Sequence, residues 1–399
     1  MKRILICIIA LAAITLQATA QEQEKKNEEG FLFTVIKENP ITPVKNQSST
    51  GTCWSFSSLG FMESELLRMG KGEYDLSEMF VVSRTYTDKA DKYIRLDGAL
   101  NFAQGGGFDD YLYVIRKYGM VPNQVMPGLN YGEDVHRHGE LTAVLTGIVE
   151  AVKKNPNRKL STAWKNAFQG ALDAYLGEIP ETFEYKGTTY TPISFAASLG
   201  FNPDDYVNIT SFTHHPFYTQ FALEIPDNWL WGTSYNVPME EMMSVIDHAI
   251  MEGYTVLWAS DVSEQGFGRN GIAMYPTTDP KEMIGSDQAR WLEMSATERS
   301  NAFRNLKAPV AEIKAITQEM RQEAYDNKQT TDDHGMQIYG IAKDQNGTKY
   351  YMVKNSWGED AGNYKGLWYV TEKFVQYKTM DIQVHKNAIP REIKKKLNL

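Results

Sequence analysis

Thiols are almost missing from this chain: among 399 residues the only cysteines are Cys7 and Cys53. Cys7 lies inside an N-terminal apolar stretch of the kind removed on export, which leaves one thiol in the mature chain. A single thiol closes no intrachain disulfide and is a poor metal site, so Cys53 has to be explained by packing or by reactivity. Long basic runs are missing too; Arg391-Glu-Ile-Lys-Lys-Lys396 is short and reads as a solvated helix end. The formal charge is −9, and loss of Lys2 and Arg3 with the first twenty residues takes it to −11, because that segment holds no acid. An acidic chain of this kind is a poor partner for nucleic acid or an anionic membrane surface. The most apolar stretch, Ile4 to Leu16, is too short to span a bilayer comfortably. Internal repeats and low-complexity segments are absent as well.

What is present at the N-terminus reads as an export signal. Lys2 and Arg3 supply the charged start, Ile4 to Leu16 the apolar stretch, and Ala18-Thr-Ala20 a small-residue cleavage site before Gln21. The expected location is therefore periplasmic or extracellular, with no membrane association after removal of the signal. Residues 21–30 are charged and polar and are expected to form a disordered leader. Exported proteins often rely on disulfides; this one relies on its core, which its length permits.

Along the mature chain, Leu59, Met62, Leu66 and Met69 recur at helical spacing behind Cys53, and Gly70 is a natural stop. A glycine-rich loop from Asn101 to Gly107 precedes a second helical pattern from Asp109 to Tyr118. Gly139 to Tyr175 reads helical with a break near Asn155-Pro-Asn157, and Gly177 to Pro238 reads as strands and loops. Glu240 to Met251 is an expected helix, Tyr254 to Ala259 a buried strand, and 296–305 and 310–325 two further helices. Gly335 to Ala342 and Lys349 to Lys354 are expected strands around the turn Asp344-Gln-Asn-Gly347. A helical front and a sheet-rich back make the fold class α+β.

A thiol at a helix N-terminus gains acidity from the helix dipole, and an adjacent imidazolium adds to it. Cys53, in Gln47-Ser-Ser-Thr-Gly-Thr-Cys53-Trp54, has the first by position. His334, in Thr331-Asp-Asp-His334-Gly335, is the candidate for the second. The hairpin after it returns to Lys354-Asn-Ser-Trp357-Gly358, so Asn355 can fix the ring's orientation and tautomer. With a turn centred on Asn346-Gly347, His334 would face residue 359, four places past Asn355, and a bulge or longer loop must absorb the offset. The Gln47 amide and the Cys53 backbone N–H can donate to an oxyanion. Two histidine pairs, His136-x-His138 and His214-His215, read as exposed loop residues rather than metal ligands, since no acid or cysteine completes either set.

Gln-x5-Cys-Trp, Asp-His-Gly and Lys-Asn-Ser-Trp-Gly together resemble the papain-like cysteine peptidases, and within them the bleomycin hydrolase and aminopeptidase C branch. Gln104-Gly-Gly-Gly-Phe-Asp109, Ala259-Ser-Asp-Val262 and Glu323-Ala-Tyr-Asp-Asn327 add to the match. A simple papain-type enzyme places its histidine roughly 130–150 residues after the cysteine; here the interval is 281 residues, room for the insertion that this branch carries. The resemblance implies a two-lobed fold: a helical lobe over 31–135, an insertion over 136–230, a β-rich, barrel-like lobe over 231–388 and a tail over 389–399.

It also implies roles. Cys53 would be the nucleophile, His334 the base and then acid, Asn355 the orienting residue, Gln47 an oxyanion donor, and Trp357 a shield for the His334–Asn355 bond. Gly105, Gly106 and Gly107 would let substrate backbone approach. No cofactor or metal is needed, the partners are peptide substrates, and relatives of the branch assemble as hexameric rings, so a homohexamer is an expectation too. Three departures stand out. Thr50 and Gly51 replace a cysteine usual before the nucleophile, an export signal is unusual for a mostly cytosolic branch, and the tail that makes relatives aminopeptidases is short here. The expected activity is aminopeptidase; an endopeptidase with an open cleft, or a non-catalytic binding protein on the same fold, are the alternatives.

Overall fold

The computed structural model describes residues 30–156, 159–279, 281, 283 and 292–399. The expected export signal (1–20) and the leader up to residue 29 lie outside the described residues. Among the described residues, no helix is long and apolar enough to cross a membrane.

After an edge strand β1 (Thr34–Glu38), the chain enters helix α1 (Cys53–Arg68). Every residue from Trp54 to Leu66 is buried, so this helix is enclosed on all sides rather than amphipathic. Such enclosure makes it the axis of the molecule. Helix α2 (Glu78–Arg95), which periodicity did not mark, starts where the Ser77 hydroxyl accepts from the Phe80 N–H at 3.0 Å. Helices α3 (Asp109–Tyr118), α4 (Gly139–Lys153) and α5 (Ala163–Leu176) share one core with α1 and α2, built on Phe61, Phe80, Leu112, Leu145 and Leu172. The segment 136–230 is thus divided in space, with its first helices in the front core.

Its later part feeds the sheet. A small hairpin, β2 (Phe183–Tyr185) and β3 (Thr188–Tyr190), leads to α6 (Pro192–Leu199). This helix lies in a stretch expected to hold only strands and loops. Its cause is local: Thr191 and Ser194 form a reciprocal capping box, and Pro192 presets the first turn. Strands β4 (Tyr206–Thr210), β5 (Gln220–Ala222) and β6 (Thr233–Asn236) follow, then α7 (Met239–Met251), β7 (Val256–Ser260), β8 (Ile272–Ala273) and α8 (Ala296–Arg304).

The second correction concerns the helix expected over 310–325: the helix found, α9 (Gln318–Asp326), starts eight residues later. Residues before it run extended: the Thr277 N–H donates to Ala311 O at 3.0 Å and the Ile313 N–H to Tyr275 O at 3.2 Å. Their apolar side chains, Ile313 and Ile316, pack with Met239 and Tyr377 from this extended path. The Thr317 hydroxyl then caps α9 by accepting from the Met320 N–H. A capping residue in mid-pattern outweighed the periodicity.

The C-terminal part supplies β9 (His334–Lys343), β10 (Lys349–Lys354), β11 (Leu367–Thr371), α10 (Glu372–Lys378), β12 (Thr379–His385) and α11 (Arg391–Leu397). Nine strands line up as β5-β6-β4-β12-β7-β9-β10-β11-β8, and β1 pairs with β9 as the tenth. Trp258, Met336, Trp368 and Ile382 form the second core on this sheet. Helix α11 docks there through Ile393 and Leu397, with Lys396 bonded to Glu241 at 2.5 Å. The basic residues 391–396 therefore belong to a solvated helix end.

Candidate active site

The site forms where α1 meets β9. Close approach depends on Gly335: a Cβ there would lie 2.7 Å from Ser57 Oγ, 3.3 Å from Phe108 and 3.4 Å from Trp54 Cα. Only a residue without a side chain lets the strand press against the first turn of the helix. The consequence is chemical. The backbone N–H groups of Gly335 and Trp54 favour the ionised form of the Cys53 thiol, and His334, one residue before Gly335, lines the same cleft as Cys53.

The β9–β10 ladder explains how Asn355 reaches His334. Pairing starts at Lys349 with Lys343, so the turn centres on Asn346, and Tyr339 bulges out before Val353 meets Ile338 and Lys354 meets Gln337. The register moves by two places relative to a regular hairpin centred on Asn346-Gly347. Asn355 becomes a same-face diagonal neighbour of His334. Asn355 Oδ1 lies 2.8 Å from His334 Nε2 and accepts the Ser356 N–H at 2.7 Å. Because a backbone N–H already identifies that atom as the acceptor, Nε2 must carry its proton and Nδ1 is left with the ring's free lone pair. Trp357 stacks on the imidazole at 4.9 Å and 29°.

Burial dominates the protonation of both groups. It pushes the Cys53 thiol up to about 12, against the help of the two N–H donors, and Asp332 and Asp227 add to the rise. It pushes His334 down to about 4, with the Asn355 bond opposing. Each group alone is held neutral. Cys53 and His334 thus line one cleft with the neutral form of each favoured.

Gln47 is buried beside the cleft without lining it. Its Nε2 donates to Thr50 O at 2.8 Å and its Oε1 accepts from Ser356 Oγ at 2.5 Å, leaving one N–H of the amide. As the first helical residue, Cys53 has a backbone N–H with no intrahelical acceptor.

The glycine loop is divided in function. Gly105 and Gly106 make room for protein atoms: a Cβ on Gly105 would collide with the Asp227 carboxylate, and one on Gly106 with Asp110 and Trp54. Only Gly107 faces open space. The loop is held from below by Lys89, buried, whose Nζ donates to Gly105 O at 2.5 Å and Ala103 O at 3.2 Å. Gly51 N–H and the Trp54 indole fasten Gln104 to the start of α1.

Beyond Cys53 and His334 the cleft is lined by the acids Asp109, Asp227, Asp332, Asp333 and Asp381. Burial pushes the Asp381 carboxyl up to about 7 and that of Asp332 well above the ordinary range, with neighbouring carboxylates adding to both. Asp109 is bonded by Asn208 at 2.9 Å and Asp227 by Asn101 at 3.0 Å. Among the described residues Asp332 has neither a hydrogen-bond nor an ion-pair partner. Sequence reasoning missed these acids and Lys89. The doublet Asp332-Asp333 beside His334 was a visible clue, whereas Lys89, Asp227 and Asp381 come from distant segments with no local signal.

The histidine pairs also differ from expectation. His138 is buried and His136 partly so, the latter edge-on to Phe56, because residues 136–138 pair with Ser49 beside α1. Burial pushes His138 down to about 4. At the other pair an acid does complete the set: Glu224 lies 3.0 Å from both His214 Nε2 and His215 Nε2.

Comparisons with known proteins agree with the geometry. Residues 33–176 match the model of the papain family cysteine proteases, and residues 310–399 that of the peptidase C1-like family. The chain is a papain-like cysteine peptidase. It is 23% identical to aminopeptidase G of Lactobacillus delbrueckii subsp. lactis, over 89% of this chain and 83% of the relative. It is 24% identical to mouse bleomycin hydrolase (Mus musculus), over 88% and 82% of the two chains. Among solved structures, pepw from Lactobacillus rhamnosis shares the fold, with a TM-score of 0.69 at 20% identity over 97% of the peptidase and 91% of that chain. The relatives thus support the bleomycin hydrolase and aminopeptidase branch that the motifs resemble.

Proposed function

We propose that the peptidase is an aminopeptidase, working through Cys53, His334, Asn355 and Gln47. His334 Nδ1 takes the thiol proton as Cys53 Sγ attacks the scissile carbonyl. The Cys53 N–H and the remaining Gln47 N–H hold the oxyanion, each such donor being worth roughly 3–4 kcal/mol of barrier. The imidazolium then protonates the leaving amine, and His334 activates water to hydrolyse the thioester. Gly107 admits the substrate backbone, and Trp357 keeps water from the His334–Asn355 bond.

The observation that carries the aminopeptidase reading is the row of carboxylates past the sulfur. Asp227, Asp332 and Asp381 line the cleft, and a free α-ammonium is the substrate group whose charge they complement. Residues 389–399 are not among the lining residues, so the acids take the part that a tail carboxylate would play. The test compares a fluorogenic peptide with its N-acetylated form, using Cys53→Ala as a blank. Strong preference for the free amine supports the proposal. Equal cleavage makes the protein an endopeptidase, and no thiol-dependent cleavage of either makes it a binding protein on this fold. The same proposal places the enzyme outside the cytoplasm, on the strength of residues 1–20; a secreted product beginning at Met1 would contradict it.

A further inference from the structure

Outside the cleft, we infer a second site: His214, His215 and Glu224 bind a divalent transition-metal ion of the Zn²⁺ type. The two histidines lie between β4 and β5, and Glu224 lies just after β5. His214 Nε2 faces Glu224 Oε2 at 3.0 Å and His215 Nε2 faces Oε1 at 3.0 Å. One ligand atom from each residue falls within 4.8 Å of the others. Three donors about 2.0–2.2 Å from a tetrahedral zinc lie roughly 3.3 Å apart, so small side-chain rotations suffice. Two imidazoles and a carboxylate suit zinc-like ions and leave a fourth position for water on the exposed side.

The surroundings fix these rings as metal sites require. His215 stacks on Phe221 at 4.2 Å and 24°, and His214 on Tyr325 at 5.6 Å and 27°. Gln322 lies behind His214, its Oε1 3.4 Å and its Nε2 3.1 Å from Nδ1. Gln322 Oε1 accepts the Thr213 N–H at 2.5 Å; when an ion takes the His214 Nε2 lone pair, the ring proton resides on Nδ1, and a small shift of the Gln322 amide lets Oε1 accept it as the outer partner that orients a ligand histidine. Asn236 Nδ2 holds the loop backbone through His215 O at 2.9 Å. Neighbours of Glu224, namely Leu223 and Ile225, line the catalytic cleft. An ion here therefore ties a cleft wall to the β4–β5 loop from outside, away from the cysteine chemistry.

The test uses the full chain carrying Cys53→Ala, so that zinc cannot bind at the catalytic thiol and the outcome is independent of the proposed peptidase mechanism. Zn²⁺ alone is titrated by calorimetry in chelator-free buffer, and Co²⁺ replaces it for absorption spectra. Expected are one ion per chain, a tetrahedral Co²⁺ band and a rise in Tm. Binding should weaken at least tenfold in His215→Ala and in Glu224→Gln, and about tenfold in Gln322→Ala. Circular dichroism without metal shows that each variant is folded, and either folded ligand variant suffices for the comparison. The inference is overturned by the absence of micromolar binding, or by stoichiometry and affinity unchanged in the folded ligand variants.

Discussion

Replacing Gly335 by alanine puts the geometry of the site to its hardest test, because it alters neither charge nor any group assigned to the chemistry. The new Cβ would sit 2.7 Å from Ser57 Oγ, 3.3 Å from Phe108 and 3.4 Å from Trp54 Cα. The shortest contact falls ~0.8 Å inside the ~3.5 Å optimum for non-bonded atoms. Part of it can be relieved by rotating the Ser57 hydroxyl, at the cost of its 3.2 Å bond to Trp54 O. The remaining tight contact, 3.3 Å to the Phe108 ring, has to be relieved by a shift of that ring or of β9, and a shift of β9 carries His334 with it. Overpacking of this kind costs roughly 1–3 kcal/mol of stability, while a displacement near 1 Å at reacting atoms costs about 100-fold in rate. The expected result is a folded protein with kcat/KM lowered by ~10- to 100-fold and iodoacetamide alkylation slowed in parallel. Adding Ser57→Ala removes the shortest contact and should recover part of the loss. Activity within about twofold of the parent in folded Gly335→Ala would refute the claim that this contact sets the Cys53–His334 geometry.

Further outcomes follow from the same structure. In His334→Ala the thiol keeps its burial, which pushes it up to about 12, and loses its proton acceptor, so alkylation at neutral pH should slow by about 100-fold or more. Asp332→Asn should lower kcat/KM for a free-amine peptide by ~10- to 100-fold, the worth of a hydrogen bond to a charged group, and leave an N-acetylated peptide unchanged. Because Asp381 is pushed up to about 7, its anionic form is lost as pH falls through that value; preference for the free amine over the acetylated peptide should shrink from pH 8 to pH 6. Lys45 bonds buried Glu63 at 3.0 Å and buried Glu78 at 2.6 Å, so Lys45→Met leaves two enclosed carboxylates without their direct ion-pair partner and should cost roughly 3 kcal/mol in urea unfolding.

How much of this was legible in the sequence depended on range. Cys53 at the start of a helix, the strand after His334 and the hairpin back to Asn355 each rest on patterns within about twenty residues, and each was readable. The His334–Asn355 register was not, because a bulge at Tyr339 is a tertiary adjustment that no turn rule anticipates. Helix α6 was hidden among residues that look strand-forming, although Thr191 and Ser194 carried its capping signal. The glycine loop shows a subtler limit. Three consecutive glycines suggested room for substrate, yet two of them make room for Asp227, Asp110 and Trp54. Absence of side chains is visible in a sequence; what fills the space is not. Glu224 completed a histidine pair from ten residues away because the β4–β5 loop folds back on itself.

The acids and the thiol act on each other, and this joins recognition to chemistry. Burial raises the Cys53 pKa most, and Asp332 and Asp227 add to the rise, so an empty cleft favours the protonated thiol. An ammonium group docked against those acids would offset the electrostatic part of that rise and leave the larger part, due to burial, in place. The substrate's own amine then both positions the peptide and lowers the energy of the thiolate–imidazolium pair. Acetylation would remove both effects at once, which is why the loss should fall on kcat as well as KM. A small amine added in trans should raise the alkylation rate of Cys53 in the parent enzyme and do so less in Asp332→Asn. If the amine changed neither rate, the carboxylates would be binding the peptide without any influence on the sulfur.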